Sequence, residues 1–168
     1  MSVFLGIDTS NYTTSCAAYS ENEAVQEKML LPVKPGECGL RQSDAVFHHI
    51  QQLPGVMEKL APRLKDKKIE AVGVSARPRQ EEGSYMPCFT VGTACAKMLS
   101  LVLDVPLYEF SHQQGHVAAA LYSAGRLDLL KTPFLAFHVS GGTTEALYVT
   151  PDEEELFRTR IAAKTLDL

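Results

Sequence analysis

The chain predicts an α/β fold. One complete lobe, a mixed sheet with flanking helices, takes up residues 1–132. The opening strands of a second, similar lobe take up residues 133–168. Three observations lead there. Short apolar runs alternate with helical stretches, as sheet-and-helix layers require. The stretch Phe4-Leu5-Gly6-Ile7-Asp8-Thr9-Ser10-Asn11-Tyr12-Thr13-Thr14 lines up at constant offset with Phe134-Leu135-Ala136-Phe137-His138-Val139-Ser140-Gly141-Gly142-Thr143-Thr144. The second copy then stops at Leu168, where the first goes on through further helices and strands.

The elements follow in order. Val3 to Ile7 reads as a buried strand, and Asp8-Thr9-Ser10-Asn11 as a polar turn. Thr13 to Tyr19 returns as a second strand, so hydroxyls and a carboxylate sit at a hairpin tip. Such a tip can hold phosphate or a metal-bound water, or be a solvated turn. Ala24 to Leu31 is a third strand, and the Pro- and Gly-bearing 32–39 is a loop. Ser43 to Leu60 predicts a helix with Ala45, Val46, Ile50, Leu53, Val56, Met57 and Leu60 on one face. Pro54-Gly55 marks a kink or break in it, and His48 and His49 read as surface residues. Ile69 to Ser75 is a strand that ends at a charged loop carrying Arg77 and Arg79. Phe89 to Leu103 is a helix rich in small residues, and Val105 to Phe110 a strand.

That strand feeds Ser111-His112-Gln113-Gln114-Gly115-His116, where Ser111 and Gln114 have capping-box spacing and Ala118 to Leu121 favour continuation. Gly125 ends the helix. His112 and His116, four apart, share a helix face. The N-terminal end of a helix disfavours imidazolium, and neutral imidazole is the form that binds metal. Spacing alone leaves two readings open, exposed histidines or part of a metal site. Two ligands are not a site, so a third would come from elsewhere. No Glu adjoins His112, so the H-E-x-x-H pattern of metalloproteases is absent. In the second copy, Ser140-Gly141-Gly142-Thr143 would let backbone N–H groups approach an anion closely, and an ordinary hairpin turn is the alternative.

Composition bounds the function. Over 168 residues, 45% are apolar and 21% charged, as in a soluble globular domain. Net charge is -4, so no overall basic field grips nucleic acid, and RNA contact would need a local patch or a partner. Four cysteines without a C-x-x-C pair read as reduced cytosolic thiols. The first residues have neither a basic region nor a long apolar run, so no signal peptide is expected, and no stretch is long enough to span a membrane.

The duplicated lobe with two phosphate hairpins resembles the actin, sugar-kinase and Hsp70-like ATPase plan, a ribonuclease H-like lobe. With its ordered motifs the chain resembles the TsaD family, also called Gcp or glycoprotease-like, from Phe4 to the last residue. The markers are Gly6-Ile7-Asp8-Thr9-Ser10, Val91-Gly92-Thr93-Ala94-Cys95-Ala96-Lys97, the pair His112 and His116, and Val139-Ser140-Gly141-Gly142.

The resemblance implies a tRNA N6-adenosine threonylcarbamoyltransferase in the cytoplasm. His112 and His116 would then bind one divalent metal, iron or zinc, with an Asp from beyond Leu168. Val139, Ser140, Gly141, Gly142 and Thr143, with Asp8, Thr9 and Ser10 at the first tip, would contact ATP or threonylcarbamoyl-adenylate. tRNA and TsaB-like and TsaE-like proteins would be its partners. Four departures surround this cleft. Gln114 stands for the Glu inside the His pair, and Asn11-Tyr12 for Cys-Asp after the first turn. The R-G-P-G loop is replaced by 76–83, and Thr143 stands for a His. They suggest a paralogue, so a non-catalytic nucleotide-binding scaffold is the alternative function. A glycoprotein endopeptidase gets little support, since H-x-x-x-H offers neither nucleophile nor base. An incomplete second lobe would expose Phe134, Leu135, Phe137, Val139, Leu147 and Val149, and a homodimer through residues after Pro133 is expected.

Overall fold

The computed structural model describes residues 2–21, 23–33, 39–139, 144–153 and 156–165, with 161–165 as backbone only. It divides into two compact units, Met1–His112 and Gln113–Leu168. The repeat had placed the division after Thr132.

The first unit holds a five-stranded sheet in the order β3-β2-β1-β4-β5. These strands are β1 (Ser2–Asp8), β2 (Thr13–Tyr19), β3 (Ala24–Leu30), β4 (Lys68–Arg77) and β5 (Leu107–Ser111). β1 runs antiparallel to β2 and parallel to β4, and β4 runs parallel to β5. Helices α1 (Gln42–Leu64) and α2 (Phe89–Leu103) supply the parallel crossovers. Period-two alternation along β1 buries Val3, Leu5 and Ile7 and leaves Phe4 46% exposed. Leu5, Ile7, Val72 and Val74 form one core with Leu53, Val56 and Leu60 of α1 and Ala96 of α2. Each such aliphatic side chain contributes about 1.5–3 kcal/mol. Asp104, in the left-handed region at φ 53°, terminates α2.

In α1 the break expected at Pro54-Gly55 is not there, and His49 lies elsewhere than expected. The helix runs unbroken through Pro54 and Pro62. Pro54 lies on the exposed face, where an unbonded carbonyl can be hydrated, while Leu53 and Val56 hold the other face to the sheet. The buried stripe is Ala45, His49, Leu53, Val56 and Leu60. His49 is therefore a core residue, not a surface one, and Ile50 is 57% exposed instead.

Helix α3 (His112–Ser123) belongs to the second unit from Gln113 onward and is followed by a 3-10 turn at Leu127–Lys131. Gly125, at φ 65°, closes α3, with the Arg126 N–H donating back to the Leu121 carbonyl. An antiparallel meander follows: β6 (Phe134–Val139), β7 (Thr144–Asp152) and β8 (Leu156–Thr165), in the order β6-β7-β8. It repeats the β1-β2-β3 arrangement, as the internal repeat requires. Val117 and Leu121 of α3 pack on Leu147, Val149 and Phe157. This burial is why α3 clusters with the second sheet. Leu147 and Val149 are thus buried, contrary to the expected apolar surface. Leu135, Phe137 and Val139 do face outward, at 60%, 75% and 72% exposure.

Candidate functional site

In the first unit the polar groups gather where β1 and β4 end together. Ile7 pairs with Val74, so the next residues, Asp8 and Ser75, meet at the C-terminal edge of two parallel strands. That edge is where open α/β sheets collect ligands. Asp8 accepts three hydrogen bonds: from the Ser10 N–H at 2.7 Å, the Ser75 hydroxyl at 2.5 Å and His112 Nδ1 at 2.9 Å. Burial opposes charge on Asp8. The hydrogen bond and charge of His112, with the bonds from Ser10 and Ser75, outweigh it and hold the carboxyl at about 2. Ser10 Oγ lies 3.5 Å from His112 Nε2. Phe89 stands edge-on to the imidazole, ring centroids 6.3 Å apart.

Thr9 goes elsewhere. It is fully buried, donates to the Cys88 carbonyl at 2.9 Å and accepts from the Gly92 N–H at 3.0 Å. It ties the hairpin to the first turn of α2. Of the three tip residues expected at a cofactor, Asp8 and Ser10 meet His112 and Thr9 lies in the interior.

Beside the same hairpin, Thr14 and His49 form a second buried group. Gln52 Nε2 donates to the Leu30 carbonyl, and Thr14 Oγ1 donates to Gln52 Oε1 at 3.0 Å. Thr14 has then spent its one proton, so it accepts from His49 Nδ1 at 2.8 Å. Among the described residues His49 Nε2 is buried without a hydrogen-bond partner, and burial lowers the ring's pKa.

In the second unit, His116 of α3 lies against His138 of β6, ring centroids 5.5 Å apart. Glu145, opposite His138 in the ladder, is fully buried. Its Oε2 accepts from Gln113 Nε2 at 3.0 Å and lies 3.9 Å from His138 Nδ1. Thr159 in turn donates to Gln113 Oε1 at 3.3 Å. Gln114 Nε2 donates to the Phe157 carbonyl at 2.8 Å. Val139 is exposed; Ser140, Gly141, Gly142 and Thr143 lie outside the described residues.

Ser75, His138 and Glu145 had no motif to announce them. Ser75 could have been found by noting that it ends a strand parallel to β1.

His112 and His116 are the first and fifth residues of α3. Imidazole nitrogen suits iron and zinc, and a carboxylate behind a ring nitrogen is the usual partner of a ligating histidine. Among the described residues no cluster of three or more His, Cys, Asp or Glu is arranged to hold a metal ion. The donor set fits part of a site and needs further ligands. The described thiols offer no ready nucleophile: burial raises Cys88 and Cys95, and pushes Cys16 up to about 12.

The family model of TsaD, tRNA N6-adenosine threonylcarbamoyltransferase, matches residues 4–167. The chain belongs to the TsaD family. A tRNA N6-adenosine threonylcarbamoyltransferase of Thermosipho melanesiensis is 31% identical over 98% of this chain and 48% of its own length. One of Christiangramia forsetii is 31% identical over 71% of this chain and 33% of its own length. A probable bifunctional tRNA threonylcarbamoyladenosine biosynthesis protein of Methanosarcina acetivorans is 25% identical over 98% of this chain and 28% of its length. The chain thus spans half or less of each of these relatives. Among solved structures, YeaZ from Pseudomonas aeruginosa superimposes with a TM-score of 0.59 at 16% identity, over 99% of this chain and 67% of YeaZ. That likeness supports the α/β lobe with its repeated hairpin. No helix among the described residues is long and apolar enough to cross a membrane.

Proposed function

We propose that this TsaD-family chain serves the transfer of a threonylcarbamoyl group from threonylcarbamoyl-adenylate to N6 of adenosine in tRNA. The observation that carries the reading is the His112–Asp8 pair: a histidine of the family's H-x-x-x-H marker, backed by a carboxylate at the sheet edge. His112 and His116 would hold one iron or zinc ion, together with ligands from outside the chain. That metal would supply Lewis-acid polarisation of the threonylcarbamoyl carbonyl, easing attack by N6 and departure of AMP. Asp8 holds His112, Ser75 holds Asp8, and the Ser10 hydroxyl sits beside His112 Nε2. Val139 to Thr143 would cradle the adenylate phosphate through backbone N–H groups. The setting is cytoplasmic, with TsaB-like and TsaE-like partners; the exposed Met98, Leu101 and Val102 on α2 support a protein partner.

The test combines this chain, the remaining length its relatives carry, the partners, metal, tRNA and threonylcarbamoyl-adenylate. Modified adenosine in the tRNA is expected, and its absence with every component present would refute the reading. A second reading, a nucleotide-binding scaffold without turnover, draws on Thr9 being committed to the interior. Calorimetry showing ATP bound while no product forms would favour it.

A further inference from the structure

We propose that Asp8 is the positioning residue of His112: it fixes the ring in the Nδ1–H form and so presents Nε2 as the lone-pair nitrogen. Asp8 sits at the end of β1 with its side chain 25% exposed, in contact with groups from three segments. Its Oδ1 is taken by the Ser10 N–H. Its Oδ2 receives both Ser75 Oγ and His112 Nδ1. An ionised carboxylate only accepts, so the hydrogen in the 2.9 Å contact lies on Nδ1. A neutral ring carries one N–H, so Nε2 holds the lone pair. Ser75 limits the freedom of Oδ2, and Phe89, edge-on to the ring, limits its rotation. Ser10 Oγ reaches Nε2 only at 3.5 Å, too long to set the tautomer against a charge-assisted bond. The consequence for metal rests on the function proposed above. A ligating histidine backed by a carboxylate binds more tightly, and loss of such a partner lowers metal affinity about 10–100-fold.

The deciding measurement needs no metal, substrate or partner. Long-range 15N–1H correlation spectra of the whole chain, at a pH where the ring is neutral, report which ring nitrogen carries hydrogen. The His112 signal is identified by its loss in His112→Ala. Wild type is expected in the Nδ1–H form; finding Nε2–H there overturns the proposal even if no variant folds. Asp8→Asn can place an amide N–H₂ toward Nδ1, and a shift of His112 toward the Nε2–H form is expected. An unchanged tautomer in a folded Asp8→Asn protein also overturns it. Ser10→Ala is expected to leave the tautomer as it was, and a shift there would assign the ring to Ser10 instead. Zinc titration against a chromophoric chelator adds the consequence: 10–100-fold weaker binding in Asp8→Asn. A wild-type chain that shows the Nδ1–H form yet binds no zinc supports the role of Asp8, because the metal reading itself calls for ligands from outside this chain.

Discussion

Replacing Gly92 with Ala tests the joint between the first hairpin and α2. A Cβ built at Gly92 falls 2.8 Å from Thr9 Oγ1, 3.4 Å from Thr9 Cγ2 and 3.5 Å from Ile7 Cγ2. The first distance is a clash, and Thr9 cannot yield cheaply. It is β-branched, fully buried and bonded to both the Cys88 carbonyl and the Gly92 N–H. Turning it away forfeits two hydrogen bonds of about 1 kcal/mol each. Pushing it aside instead costs about 1–3 kcal/mol of overpacking. Against either stands a gain of about 1 kcal/mol from helix propensity, because Gly92 lies inside α2. The net expectation is a loss of up to about 2 kcal/mol. Urea unfolding followed by far-ultraviolet circular dichroism would measure it. Thr9→Ala removes the atom that clashes, Oγ1, together with its neighbour Cγ2. In that background Gly92→Ala should gain up to about 1 kcal/mol, leaving a coupling of about 1–3 kcal/mol. Equal effects in the two backgrounds, or a more stable single variant, would refute the account of why this marker position is glycine.

Three further outcomes follow from the geometry. Asp8 has its pKa lowered from 3.8 to about 2 on folding, so its contribution is fully present above pH 3.8 and is lost as pH falls toward 2. Unfolding free energies from urea titrations taken down this range should fall by about 2 kcal/mol more in wild type than in Asp8→Asn, after allowance for partial exposure of the group. The chain alone should bind zinc weakly, because two imidazoles leave most of a coordination sphere open; stoichiometric metal after dialysis, lost in His112→Ala, would place further ligands within these residues. Strand β6 is a sheet edge with Leu135, Phe137 and Val139 outward, so the chain should form a homodimer through a second copy of this edge. Light scattering should show Phe137→Glu shifting it to monomer, and a wild type monomeric at high concentration would overturn the idea.

Much of the fold was legible because its signals are local. β2 and α2 fall on their expected bounds, since alternation and a small-residue apolar run are read within a few residues. The repeat foretold that β6, β7 and β8 would mirror the first three strands. The errors came where a local rule met a tertiary constraint. Pro54 and Gly55 weaken a helix in isolation, but the stripe from Ala45 to Leu60 is anchored on both sides of them. His49 was set aside as polar, although it sits four residues from Ala45 and four from Leu53 on that stripe, with Thr14 to receive its proton. The site partners were harder to see. Asp8 meets Ser75 and His112 across sequence separations of 67 and 104, and only the strand order brings them together.

The sequence groups the three polar residues at the first tip, and the hydrogen bonds separate them. Thr9 bonds to the start of α2, while Asp8 and Ser10 both lie against His112. The second hairpin obeys the same geometry with different chemistry. The repeat sets His138 at the position of Asp8, and the ladder puts Glu145 opposite His138 as it puts Ser15 opposite Asp8. In the first hairpin the strand supplies the carboxylate and an imidazole comes to it. In the second the strand supplies the imidazole and the buried carboxylate stands across the ladder, 3.9 Å from Nδ1. The repeat thus keeps a polar group near the end of the first strand and changes it from a carboxylate to an imidazole. Asp8→Asn keeps an oxygen for the Ser10 N–H of the turn while altering the group that faces His112, and Glu145→Gln alters the group that faces Gln113 and His138, so these two changes probe the acid–imidazole contacts of each tip.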